Sequence, residues 1–162
     1  MVTDRDAPGH PPPGTPPGHP LAEREFLDVY AKVPRLTVEV VIRGPLGVLL
    51  TRRTQGPCAG LWHVPGGTVR FGEPLTVAVE RVAAGELGLL VTAGPLLGYI
   101  EYPSHYLNGL DSPVGIAFLV DGDIDPAVAD MEGRDWFTAP PSPMHAEQVE
   151  FLTAQGFLRT HS

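Results

Sequence analysis

Residues 62–88 limit the fold most: a short β-rich run, a proline with two glycines behind it, then a helix headed by proline and closed by glycine. Residues 62–64 read as a strand that Pro65-Gly66-Gly67 stops, because proline removes a ladder donor and paired glycines let the chain turn sharply. Pro74 suits the first position of a helix and Gly88 its left-handed cap, with Leu75, Ala78, Val79 and Val82 on one face. Such a helix needs a flat apolar partner, and the flanking sequence supplies one. Residues 36–42 and 46–50 form a hairpin pattern about Gly44-Pro45, and residues 96–102 and 114–120 are further strands joined by a polar loop, 103–113. Asp135-Trp136-Phe137 is a short edge element. Leu21, Phe26, Val29, Tyr30 and Val33 make an opening amphipathic helix that Pro34 ends, and a last helix runs from Ser142-Pro143 to Gly156. This order predicts an α/β (α+β) fold, a mixed sheet sandwiched between helices.

Seven of the 19 prolines fall in the first 20 residues, interleaved with glycine. Residues 1–20 are therefore predicted to be a disordered tail, with His10 and His19 solvated, ahead of one domain over 21–162. Eleven basic against 19 acidic residues give a net charge of −8, which disfavours nucleic acid and anionic membranes as partners. An anionic ligand must be met by a metal or by a few placed arginines. The single cysteine, Cys58, excludes an internal disulfide or a multi-thiolate site and reads as an inert thiol. With no apolar leader and no long apolar run, the chain is expected to be soluble and cytoplasmic.

The chemistry lies in one spacing: Gly67, five residues, Glu73, seven residues, Arg81, four residues, Glu86, one residue, Gly88, then Leu89. It resembles the box of the Nudix hydrolase family, with five of its seven fixed letters met. The glutamate expected after Arg81 is Val82, and the first of the later glutamate pair is Gly85. Positions 82, 85 and 86 share a helix face, so a full box makes a carboxylate cluster, and this one keeps Glu86 alone. A lone carboxylate at the negative end of a helix calls for positive charge beside it. Mg²⁺, with Mn²⁺ as its substitute, suits that place, since it takes one or two carboxylates and completes its shell with water, phosphate and carbonyl oxygens.

The run from Glu80 to Leu89 is similar to the GDP-mannose mannosyl hydrolase branch, which keeps the same single glutamate. Arg53-Thr54, Pro65-Gly66-Gly67 and the opening helix extend the likeness over residues 21–102. The resemblance implies a Nudix fold and a Mg²⁺-dependent hydrolase. Its substrate would be a GDP-mannose-like nucleoside-diphosphate sugar, attacked at the sugar carbon so that intact nucleoside diphosphate is expelled. It also implies a homodimer built on the N-terminal helix. By the same resemblance Glu86, Arg53 and Arg81 are catalytic, Arg53 meeting the leaving group; Arg53, Glu39 and Tyr102 bind substrate; and Gly66, through its carbonyl, Glu86 and Asp130 hold the metal. A pyrophosphohydrolase attacking phosphorus, and a non-catalytic nucleotide-binding domain, are the alternatives.

Departures from the branch fall on the base. Its glutamine and histidine, counted back from Trp136, are Asp130 and Met131 here. Asp130 can replace the glutamine as ligand, but methionine accepts no proton, which leaves Glu132, Asp135 and His105 as substitutes. A second arginine of the branch is Thr68, and Tyr106 joins Tyr102 as a stand-in for its loop tyrosine. Simpler roles compete. Glu73 and Arg81, two turns apart, suit an ion pair ordering the box loop as well as chemistry. His63 alternates with Trp62 and Val64 and so belongs on the other face of the sheet, His145 reads as a surface residue, and Trp62 and Trp136 as core anchors.

Overall fold

The computed structural model describes residues 19–160, so the expected tail lies outside the described residues except for its last two. His19 departs from the solvated expectation: its ring meets Phe26 edge-on at 4.9 Å, and its Nδ1 accepts from Leu21 N–H at 3.1 Å. The elements are α1 (Glu23–Tyr30), β1 (Arg35–Gly44), β2 (Gly47–Arg52), β3 (Trp62–His63), β4 (Gly66–Thr68), α2 (Leu75–Val82), β5 (Leu96–Glu101), α3 (Pro103–Leu107), β6 (Pro113–Asp121), β7 (Arg134–Phe137) and α4 (Ala146–Ala154).

Seven strands form one mixed sheet in the order β3-β2-β1-β6-β5, with β4 added to β1 and β7 to β2. β1 and β6 run parallel at its centre, and the other pairs are antiparallel. Alternation along β1 builds both layers. Val38, Val40 and Ile42 meet Ala78, Val79 and Val82 of α2, while Val41 joins Val48, Leu50 and Leu119 under Leu152 of α4. The expected sandwich is therefore present, with α2 on one face and α4 on the other.

Four local details differ from the sequence reading. The last helix, expected from Ser142-Pro143, begins only at Ala146, behind His145. The polar loop after β5 contains the short helix α3, headed by Pro103 where a missing N–H costs nothing. The chain continues past Pro65 as β4, because Val40 and Val69 N–H reach across to the Pro65 and Leu36 carbonyls at 2.8 and 3.0 Å. Finally, α2 widens into a π-helical turn, Ala83–Leu87, before Gly88 ends it at φ 69°. A wider turn of this kind re-aims the side chains it carries.

Candidate active site

A cleft of about 850 Å³ opens between β1, β4, the end of α2, and the segments that carry α3 and α4. That volume suits a ligand of nucleotide size.

The helical wall is built by the box. Glu73 grips Arg81 in a two-pronged pair at 2.6 and 2.8 Å, and the same carboxylate accepts Arg70 N–H at 2.9 Å. Arg81 also donates to the Thr68 carbonyl at 3.0 Å. Hydrogen bonding from Arg81 holds the Glu73 carboxyl below its usual range, and Glu73 in turn raises Arg81. Both side chains are thus occupied in fastening the box loop to β4. Gly67 permits this packing, because a Cβ there would sit 2.9 Å from the Val82 Cγ2.

Val82, Gly85 and Glu86 all line the cleft, as their shared helix face requires. Glu86 is exposed toward the cleft, and partial desolvation raises its carboxyl against Arg53, a backbone hydrogen bond from Gly66, and Arg134, which favour its charge. The call for positive charge at the helix end is answered by the chain itself: Arg134 donates to the Glu86 carbonyl at 2.6 Å and to the Leu87 carbonyl at 3.3 Å. No sequence signal ties Arg134 to this end, since β7 brings it there.

The opposite wall centres on Glu39. Gly66 and Gly115 flank its carboxylate so closely that a Cβ on either would come within 2.6 and 2.5 Å of an oxygen. Tyr102 Oη donates to Glu39 Oε1 at 3.0 Å and Thr37 Oγ1 donates at 3.2 Å. Behind them Gln148 Nε2 donates to Tyr102 Oη at 2.9 Å, and Gln148 Oε1 accepts Val64 N–H at 2.8 Å. Burial raises the Glu39 carboxyl to about 7; the Tyr102 and Thr37 hydrogen bonds and Arg35 oppose this, and the Glu86 charge adds to it. Burial and Glu39 raise Tyr102 well above its ordinary value. Both residues line the cleft, as expected of substrate contacts, but Tyr102 is already committed to Glu39.

Of the remaining expected residues, Arg53, exposed at the end of β2, lines the cleft. Asp130 does not: it is exposed at the C-terminal end of a 3₁₀ turn, and Glu132 lines the cleft instead. Asp135 accepts Trp136 N–H at 2.7 Å and faces away, and exposed Tyr106 also stays outside. His63 does lie opposite Trp62 and Val64, yet that side forms part of the cleft, where burial first and Arg53 second lower it to about 4. His145 is a correction, being 8% exposed and lowered by burial and by His105. Trp136 fills the space beside Gly44 and donates to the Pro126 carbonyl at 3.0 Å, and Trp62 packs edge-on against Phe137, so both are anchors.

A mixed sheet between two helical layers, with a carboxylate-bearing helix end over a nucleotide-sized cleft, defines the class, and the NUDIX domain family matches residues 33–153. The chain belongs to the Nudix family. The low-salt glycan biosynthesis protein Agl8 of Haloferax volcanii is 38% identical over 140 residues, covering 83% of this chain and 90% of that protein. An ADP-ribose pyrophosphatase of Methanocaldococcus jannaschii is 32% identical over 88 residues, 54% of this chain and 51% of the relative. Among solved structures, a MutT NUDIX hydrolase from Burkholderia pseudomallei aligns with a TM-score of 0.61 at 26% identity, over 75% of this chain and 97% of that one. No helix among the described residues is long and apolar enough to cross a membrane.

Proposed function

We propose that this chain is a Mg²⁺-dependent hydrolase of a nucleoside-diphosphate sugar, GDP-mannose-like, that attacks the sugar carbon and releases intact nucleoside diphosphate. The observation that carries the reading is that the carboxyl-bearing residues Glu86 and Glu39 line one nucleotide-sized cleft beside Arg53, with surroundings that raise both carboxyls. Groups poised near neutrality at a shared cleft are those that exchange protons or bind cations during turnover. The family membership supports hydrolysis, and the glycan-biosynthesis relative, alike over most of both chains, supports a sugar nucleotide.

The donor set fits Mg²⁺. Ladder bonds at positions 65 and 69 turn the peptide groups of Gly66 and Thr68 away from β1. The Thr68 carbonyl is taken by Arg81, which leaves the Gly66 carbonyl on the Glu86 side. Glu86 and Gly66 would hold the ion, with Glu132 in the place given to Asp130. When bound, Mg²⁺ neutralises the diphosphate. Arg53 adds fixed positive charge for the departing nucleoside diphosphate. Glu39 takes the proton of the attacking water, the role left vacant by Met131, and Tyr102, itself fixed by Gln148, holds that carboxylate in position. Leu27, 62% exposed on α1, a helix with no buried residue, supports a homodimer through that helix, and we place the protein in the cytoplasm.

Attack at phosphorus is the second reading, favoured by the pyrophosphatase relative. Turnover of a nucleotide-sugar panel with Mg²⁺ in ¹⁸O-water separates the readings. Label in the free sugar with unlabelled nucleoside diphosphate is expected, label in a phosphate product establishes the second reading, and binding without turnover leaves a ligand-binding domain.

A further inference from the structure

Beside the cleft lies a group of side chains that the proposed hydrolysis does not use. Cys58 from the β2–β3 loop, His105 from α3 and His145 at the head of α4 bring their thiol and ring nitrogens within 4.8 Å of one another. Cys58 and His145 are buried, and both histidines line the cleft. Cys58 Sγ lies 3.9 Å from His105 Nε2, and the two imidazole rings are 5.5 Å apart, inclined at 35°.

Neighbouring groups decide how the rings are turned. His105 Nδ1 lies 3.0 Å from Asp111 Oδ1, and Asp111 is also paired with Arg35. With Nδ1 engaged by Asp111, the other ring nitrogen, Nε2, faces the Cys58 sulfur. Carboxylate, histidine and open ring nitrogen in this order are the arrangement that orients an imidazole on a metal.

We propose that Cys58, His105 and His145 bind a Zn²⁺-class cation, with its fourth coordination position open to the cleft. One thiolate and two imidazoles suit a borderline-soft ion rather than Mg²⁺, which prefers oxygen. Tetrahedral ligation with metal–sulfur near 2.3 Å and metal–nitrogen near 2.0 Å puts donors roughly 3.3–3.6 Å apart. Reaching this from the observed spacing takes a contraction of at most roughly 1.5 Å, within the reach of side-chain rotation. Three protein ligands with one position left open is the pattern of a site that can meet water or a ligand oxygen. A thiol–imidazole–carboxylate relay built on Cys58, His105 and Asp111 competes, but it gives His145 no part. Metal binding releases the thiol proton to solvent, so affinity rises with pH.

The test uses the full-length, untagged chain, stripped with chelator and titrated with Zn²⁺ and separately with Co²⁺ under excess Mg²⁺. Metal content and the cobalt spectrum are the readouts, so the result is independent of turnover and of the hydrolase reading. One tightly held Zn²⁺ per chain is expected, together with a thiolate-to-cobalt charge-transfer band and protection of Cys58 from alkylation by the metal. Cys58→Ser and His145→Ala should lose stoichiometric binding while keeping the circular dichroism of the metal-free parent. Asp111→Asn should bind roughly 10- to 100-fold more weakly. Substoichiometric metal, equal binding by Cys58→Ser, or cobalt without a thiolate band would overturn the proposal. Should Cys58→Ser fail to fold, the cobalt band of the unmodified chain decides by itself.

Discussion

On the helical wall of the cleft, Glu73, Arg81 and Glu86 come from one continuous segment, whereas Glu39, Tyr102 and Gln148 on the opposite wall come from a strand and two other regions. The bonds joining the latter three span 63 and 46 residues. Charge is handled differently as well. The helical wall pairs the Glu73 carboxylate with Arg81 and its last carbonyls with Arg134. The opposite wall gives Glu39 only neutral hydroxyl donors in contact, and burial raises its carboxyl to about 7 against them. One wall is held by a half-buried ion pair, the other by a buried network whose acid is costly to ionise.

Substitutions can break this contrast. The largest effect should come from Glu86→Gln, which abolishes Mg²⁺-dependent turnover with the melting temperature preserved; retained turnover would remove Glu86 from the metal site. Glu39→Gln keeps the shape of the slot and should lower kcat about 10²- to 10⁴-fold. It should also change stability with pH in metal-free buffer. The folded carboxyl titrates at about 7 against an ordinary 4.5, so the folded state holds its proton more tightly. Its contribution is therefore complete below pH ~4.5 and is lost as pH rises through ~7, on the order of 3 kcal/mol. Denaturant titrations at pH 5 and 8 should show a flatter profile for Glu39→Gln than for the parent, and equal slopes would sink the buried-acid account.

Arg81→Ala, on the ion-paired wall, leaves Glu73 without its two-pronged partner and should cost about 2–3 kcal/mol, read as a shift in denaturation midpoint. A loss confined to kcat at unchanged stability would make Arg81 chemical rather than structural. Smallest is Gly85→Ala: a Cβ there meets nothing within 4 Å, so stability should rise by about 0.5–1 kcal/mol with activity retained. Lost activity with intact substrate binding would show that the open space at Gly85 serves the reaction.

The contrast also explains what could be read in advance. Box spacing is local, so the α2 stripe, the Gly88 cap and the cleft position of Glu86 follow from the order of residues. The strands other than β4 followed from β-rich runs between turn residues, β7 at its edge position included. Asp130 was placed by counting back from Trp136, and counting fails where a 3₁₀ turn and Gly133 change the path, which brings Glu132 and Arg134 to the cleft instead. His145 read as a surface residue because nothing beside it in sequence hints that α3 and the β2–β3 loop fold over it. Glu39 could be named, but its environment depends on Gly115, a residue of the parallel neighbour β6.

Gly115 and Glu39 consequently form one unit of inheritance. An alanine at 115 evicts the carboxylate, and a chain that gives up the carboxylate loses its reason to keep the glycine. Gly66 is bound less simply, since the Val38 carbonyl would still stand 2.9 Å from its Cβ. Relatives that use a different acid at this place should therefore carry side chains at 115 far more often than at 66.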